Sequence, residues 1–493
     1  MAKQFYTQAG SKPAWIEGGA PTESARGVIQ ALQNAATKGL DPEDYDGSRW
    51  ASRLTALNSK STDNEVARFD LALTISVMRF VRDLHMGKVN PGLYHKQFEL
   101  GGNLANFVQR ELVSASNVTG ALESVEPQIE DYRLTEQALA RYLMLPSDSQ
   151  RELPIPSKPV EPGGSYAALD DLAADLRLLG DLPPDVMVPE TYKEPLVGAV
   201  KRFQTRHGLT SDGRVGKDTI AELNIPLSRR IQQLQLSLER WRWLPHSFPR
   251  PPVIVNIPAF QLRALNQTSQ PQLEMKVVVG NAYDHQTPVF AGEMTNIVFR
   301  PTWEVPLTIQ RKEFVPSLQR NPLYLAQHGF EIVTARGAVV GKGRVNRALL
   351  KQLQSGGLHI RQEPGPKNSL GLVKFTFPNT YDVYLHGTPA TGLFMKSRRD
   401  FSHGCIRVEK PVELAEWVLR GDPAWTEERI RKAMEGGRTQ WVKIGQPIPV
   451  LIIYATATVE GDQVWFFDDI YGLDDDLQRA LAEAYSSRQG ESS

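Results

Sequence analysis

The hydrophobic spacing of this chain changes sharply at a proline cluster. Before Pro249, Pro251 and Pro252 apolar residues recur at three and four positions; beyond them they gather in short runs rich in valine and isoleucine. Proline fixes φ and lacks a backbone donor, so such a cluster cannot continue a helix or sit inside a sheet. A new, β-rich domain begins there. At 493 residues the chain is also too long for one ordinary core, which predicts two to four domains.

In the front part, Val66, Phe69, Leu73, Val77, Phe80, Val81 and Leu84 mark an amphipathic helix that stops near Gly87. Val28, Leu32 and Ala35 read the same way up to Gly39, and Asp41 with Pro42 restarts the chain as cap and first-turn proline. The stretch from Leu153 to Gly164 is rich in proline and glycine and reads as a linker. From Leu169 to Asn224 a three-helix unit follows, with Ala199, Val200 and Phe203 on one face, Gly208 as a stop and Asp212-Gly213 as a turn. A helix from Ser228 to Trp243 leads to the proline cluster.

Beyond it, strands are predicted at 253–257, 275–280, 295–299, 383–385 and 450–459. Between Leu307 and Phe375 the pattern turns helical and then loop-like, which reads as a flap or lid inserted between two strands. Insertions of this size usually carry function.

Lys plus Arg number 56 and Asp plus Glu 56, so no global field points to nucleic acid or an anionic membrane. No apolar run reaches the about eighteen residues of a membrane helix. The start MAKQFYTQAGSKPAW lacks the basic and apolar regions of a leader, which implies either a cytoplasmic protein or one whose leader was removed. One cysteine excludes an intrachain disulfide and any multi-cysteine metal site.

That cysteine has chemically suggestive neighbours. Tyr384, Leu385, His386, Gly387 and Thr388 precede Ser402, His403, Gly404, Cys405, Ile406, Arg407 and Val408 at close range. Acyl transfer by cysteine needs a thiolate, a histidine in reach and backbone donors for the oxyanion. His386 is the preferred partner, as an imidazolium that lowers the thiol pKa. The N–H groups of Gly404 and Cys405 are oxyanion candidates, and Gly387 and Thr388 are expected to hold the imidazole. A buried, inert cysteine and a metal site made of His386, His403 and Cys405 are the competing readings.

HGT followed by SHGCIRV resembles the signature of the L,D-transpeptidase (YkuD-type) catalytic domain. GNAYDHQTPVF, FRPTWEVPLTI, IRQEPGPKNSLGLVKFTFPNTYDVYLHGTP and FFDDIYGLD extend the likeness to the large periplasmic members, although Gly387 stands where those often carry aspartate. The AVKRFQTRHGLTSDGRVGKDTIAEL segment is similar to the peptidoglycan-binding domain of cell-wall hydrolases. The resemblance implies a multidomain α+β protein: an all-α scaffold over 1–160, a small three-helix peptidoglycan-binding domain over 165–226 and a connecting helix over 227–250. A β-rich catalytic domain over 251–475 with a lid near 307–375, and a tail over 476–493, would complete it.

It further implies Cys405 as nucleophile, His386 as general acid/base and Gly387 as its orienting backbone. Ser402, His403, Gly404 and Arg407 would line the site, and Tyr384, Trp303 and Thr388 would bind substrate. The implied reaction joins third-position diamino acids of peptidoglycan stem peptides through a Cys thioester, releasing D-alanine, in the periplasm or cell envelope. Hydrolysis of the stem, lipoprotein anchoring or D-amino-acid exchange are the alternatives at the same site. The implied partners are stem peptides, glycan strands and carbapenem-type inhibitors, with no metal, cofactor, nucleic acid or membrane span. Gly356, Gly357, Gly365 and Gly371 are the expected lid hinges.

Overall fold

The computed structural model describes residues 2–8, 12–58, 60–89, 104–146, 148–246 and 248–490. They form two units, one of Met1–Pro249 with Ile453–Ser493 and one of Arg250–Ile452.

The first unit is helical, as its spacing predicts. Its longest helix at the front, Asp63–Met86, starts at a capping box in which Thr62 and Glu65 satisfy each other's backbone N–H groups, a device worth about 1 kcal/mol. Phe69, Leu73, Val77 and Val81 on its inner face join Phe5, Trp15, Val28 and Trp50 in one core. In the three-helix module, Gln204 explains the FQ and DG pattern. Its amide donates to Asp212 Oδ1 and the Arg214 carbonyl, both at 3.0 Å, and accepts from Gly213 N–H at 2.8 Å, so one buried side chain fixes the turn.

Two expectations change in this unit. The 153–164 stretch has no helix or strand of its own, but Val160 bridges to Val215, so the end of the supposed linker belongs to the module. The run 450–459 is two strands: Gln440–Ile453 ends in the catalytic unit, and Ala457–Glu460 pairs instead with Gln463–Phe466. That hairpin packs on the module, where Arg206 donates to the Val464 carbonyl at 2.9 Å and His207 stacks on Phe466. Residues 453–475 therefore pack with the first unit.

The second unit is built on strands β1 (Val253–Asn256), β2 (Gln261–Leu265), β3 (Pro271–Gly280) and β4 (Phe290–Phe299). It continues through β5 (Trp303–Glu304), β6 (Phe330–Val333), β7 (Val339–Gly341) and β8 (His359–Gln362). Five more follow: β9 (Val373–Thr376), β10 (Leu385–His386), β11 (Asp400–Ser402), β12 (Ile406–Val408) and β13 (Gln440–Ile453). The main sheet runs β11-β3-β12-β10-β9-β4-β13-β1-β2, and β2 also pairs with β3, which closes the strands on themselves. Ile297, Phe375, Leu385 and Ile406 lie in register across four of these strands and are wholly buried.

Strands β4 and β9 are antiparallel neighbours, and the chain between them leaves the sheet as a small domain. The helical-then-loop expectation was half right in form. Helical turns run from Leu307 to Arg320, but β5-β8-β6-β7 make a sheet of four strands where loop was predicted. The sequence signal is weak because β6, β7 and β8 are only three or four residues long, and periodicity over so few positions does not separate strand from loop. This insert has its own core, made of Ile309, Phe314, Leu318, Leu325, Phe330 and Ile332 among others. Gln310 fastens it: the amide donates to the Leu353 and Leu358 carbonyls and accepts from Ile360 N–H at 2.8 Å.

Candidate active site

Three charged or titratable side chains share a row across the sheet. Lys374 on β9 pairs with His386 on β10, and His386 pairs with Arg407 on β12. Partners in register point to the same face, and residues two apart along a strand do so as well. Tyr384 and Cys405 lie just ahead of β10 and β12, and the Lys374 ammonium over the Tyr384 ring with the Tyr384–Cys405 hydrogen bond puts both beside this row. Ile406 N–H donates to the Tyr384 carbonyl at 3.1 Å, which fixes Cys405 beside Tyr384.

The turn that delivers Cys405 is tied from both sides. Ser402 Oγ donates to the Cys405 carbonyl at 2.5 Å and accepts from Gly404 N–H at 3.1 Å. Thr287 Oγ donates to the Gly404 carbonyl at 2.8 Å and accepts from Gly280 N–H at the same distance. Gly404 has φ +106°, a conformation that side-chain-bearing residues rarely adopt. Its N–H, a candidate oxyanion donor by sequence, is thus occupied by Ser402 in this state.

His386 is buried, at 4% exposure, and its Nδ1 lies 2.5 Å from the Gly387 carbonyl. A carbonyl only accepts, so Nδ1 carries the proton. Burial, reinforced by the positive charges of Arg407 and Lys374, lowers its pKa to about 3. Both causes favour the neutral imidazole over the imidazolium expected beside the thiol. Burial also pushes the Cys405 thiol up, against hydrogen bonds from Tyr384 and the charge of Lys374. The sulfur lies 3.6 Å from the Asp382 carbonyl. Tyr384, in turn, has its pKa raised by burial and by the sulfur that its hydroxyl meets.

The other expected residues are distributed as follows. The Gly387 carbonyl accepts from the imidazole, whereas the Thr388 hydroxyl accepts from Ala390 N–H at 3.1 Å. His403 points to the insert, with Nε2 2.5 Å from Glu313 Oε1. Trp303 packs on the insert's core, its ring meeting Phe314 and Phe330. Gly371 is not hinge-like: a Cβ there would come within 2.6 Å of the Gly387 carbonyl carbon, so it permits the close approach of two backbones beside His386. Gly356 caps the helix Arg347–Ser355.

Sequence reasoning missed Lys374, Asp382, Thr287 and Glu313. Lys374 had a signal, as the one charge in the run Leu372–Phe377. Asp382 had none, because its role comes from a carbonyl presented by a residue at φ +55°.

Comparison with known proteins agrees with this layout. Residues 251–426 match the family described as "L,D-transpeptidase catalytic domain", 167–223 match "Putative peptidoglycan binding domain" and 2–139 match "Scaffold domain". A curated relative in Haemophilus influenzae, described as "Putative L,D-transpeptidase", is 30% identical over 277 residues, 55% of each chain. The match thus spans about half the length of that relative. Crystal structures of L,D-transpeptidases from Xylanimonas cellulosilytica and Stackebrandtia nassauensis are each 14% identical. They cover 61% and 60% of this chain and 100% and 97% of their own, with TM-scores of 0.19 and 0.21, too low to carry an argument. Residues 251–426 are thus similar to the L,D-transpeptidase catalytic domain of the YkuD family, beside matches to a peptidoglycan-binding domain and a scaffold domain.

Proposed function

We propose that this protein cross-links peptidoglycan stem peptides through a thioester on Cys405. The observation that supports this most directly is the placing of the sole thiol of the chain beside Tyr384 and the row of Lys374, His386 and Arg407. In this reading the thiol turns from the Asp382 carbonyl and gives its proton to Nε2 of neutral His386, the nitrogen that the Gly387 contact leaves as acceptor. The thiolate attacks the carbonyl of the third residue of a tetrapeptide stem, and D-alanine leaves with the proton from His386. The side-chain amine of a neighbouring third residue then attacks the thioester, closing a new amide and releasing the thiol.

The peptidoglycan-binding domain would hold the chain near its polymer, which supports a location in the periplasm or cell envelope. A carbapenem would acylate Cys405 because it offers a strained carbonyl to the same thiolate. Purified protein mixed with disaccharide-tetrapeptides and read by mass spectrometry tests the reading. Cross-linked dimer with loss of D-alanine is the expected product. Tripeptide alone would make the enzyme a carboxypeptidase, and exchange of the terminal residue for added D-amino acid would make it an exchange enzyme; either result overturns the cross-linking assignment.

A further inference from the structure

The row Lys374–His386–Arg407 poses a problem that the reaction itself does not. A cysteine paired with histidine is usually ionised by an imidazolium, but here the imidazole lies in register between two cations on adjacent strands. A third positive charge between them is opposed by both. The sulfur must find its positive charge elsewhere.

Lys374 is placed to supply it. Its Nζ lies 3.6 Å from the centroid of the Tyr384 ring, a close cation–π contact. The hydroxyl of that ring hydrogen-bonds Cys405. Lys374 is half-buried, and burial lowers its pKa while Cys405 and Asp382 raise it. The groups facing it are Tyr384 and His386 from β10, Cys405 and Arg407 from β12 and its turn, and Asp382 from the preceding loop. Its partner on β4 is the uncharged Val298. Arg407 flanks the site from the other side, and its buried Nε has no hydrogen-bond partner among the described residues.

We propose that Lys374 is a positioning residue of this site: its ammonium holds the Tyr384 phenol against the Cys405 sulfur and, with Arg407, supplies the fixed positive charge that a thiolate there requires. His386 then is neutral in the resting site and takes the thiol proton only as the thiolate forms on attack, while the two fixed cations carry the standing counter-charge. This rests on Cys405 being the nucleophile. The arrangement suits a reaction whose second substrate is an amine. A permanent imidazolium could not accept the proton that the attacking amine must lose, whereas a neutral imidazole between fixed cations can.

The test is the pH profile of Cys405 alkylation by iodoacetamide in the full-length protein, beside Cys405→Ala as the control that isolates the nucleophile assignment. Lys374→Met should slow alkylation about tenfold at neutral pH and move the profile up by about one unit. Lys374→Arg should restore most of the rate, and Tyr384→Phe should weaken the effect of Lys374→Met when the two are combined. An unchanged profile in folded Lys374→Met, or an equal upward shift in Lys374→Arg, overturns the proposal. Should Lys374→Met not fold, nitrogen-15 NMR of the His386 ring in the unmodified protein decides it. In the resting protein a neutral ring is expected across the pH titration of Cys405; a standing imidazolium paired with the thiolate, without substrate, refutes the assignment. Loss of carbapenem adduct in Cys405→Ala, with either outcome above, keeps the two questions separate.

Discussion

Glu313 Oε1 lies 2.5 Å from His403 Nε2, which joins the insert to the turn carrying Cys405 two residues before the sulfur. Both side chains are partly exposed, at 49% and 37%, and pairs of this kind contribute at most about 1 kcal/mol. The contact is therefore too weak to hold the fold, and it ties the insert to the turn that carries Cys405. Glu313→Gln should leave the unfolding midpoint nearly unchanged and lower the ratio of cross-linked to hydrolysed stem. Chemical denaturation and product analysis of the same preparation check both halves. A ratio equal to that of the parent protein would deny the contact any part in substrate handling.

Cys405 is the only thiol of the chain, so its removal has a clear consequence. Cys405→Ala should abolish both cross-linking and the mass increase produced by a carbapenem. The buried Ser402 and Thr287 hydroxyls are committed to the Cys405 and Gly404 carbonyls and offer no substitute. Intact-protein mass spectrometry would expose any adduct that survives.

The depressed pKa of His386 makes stability depend on pH in a predictable direction. The folded group titrates at about 3 and the unfolded one near 6.5, so between these values only the unfolded chain takes up the proton. Stability from this group is full above pH 6.5 and is lost as pH falls toward 3, at about 1.4 kcal/mol per unit. Going from pH 7 to pH 5 should thus cost the parent protein about 2 kcal/mol more than His386→Gln. Urea titrations of the two proteins at both pH values give the difference. Equal losses would mean that His386 is protonated in the folded state.

What the sequence allowed to be read follows from how local each signal is. The helix Asp63–Met86 with its stop at Gly87, the stop at Gly208 and the strands β3 and β4 depend on neighbours a few residues apart, and these were legible. The pairing of Cys405 with His386 in one site was legible because β10 and β12 are close in the chain as well as adjacent in the sheet. Thr287 and Glu313 reach the site from segments far away in the chain, which no local pattern reports, whereas Lys374 lies near His386 in sequence and was overlooked although it is the lone charge of its strand. The downward pKa shift of His386 was not legible either, because it comes first from burial and then from charges on two other strands, one of them not recognised.

The insert offers the sharpest test, because its boundaries are clean. Val305 through Ile360 contain the entire buried cluster of this small domain, and Trp303 is among the few residues outside that pack on it. At its base Glu304 and Arg361 are antiparallel partners, so the two ends already stand side by side. Below them Asn368 donates to the carbonyls of Pro301 at 3.2 Å and Glu363 at 2.9 Å, and Arg300 N–H donates to Leu372 at 2.8 Å. None of these contacts needs the insert. Replacing only 320–355 would remove Leu325, Phe330, Ile332, Val345 and Leu353 and leave Ile309, Phe314 and Leu318 open to water, at about 1.5–3 kcal/mol for each side chain exposed. Replacing 305–360 by Asn-Gly, which favours the tight turn of a two-residue hairpin, removes the core whole. The shortened protein should fold, and Cys405 should still react with a small carbapenem. A thioester that waits for an amine without its cover meets water at about 55 M, so turnover should shift from cross-linking toward hydrolysis. The ratio of dimer to tripeptide in the two proteins decides the matter: an unaltered ratio in a folded, acylation-competent protein would show that the insert does not exclude water.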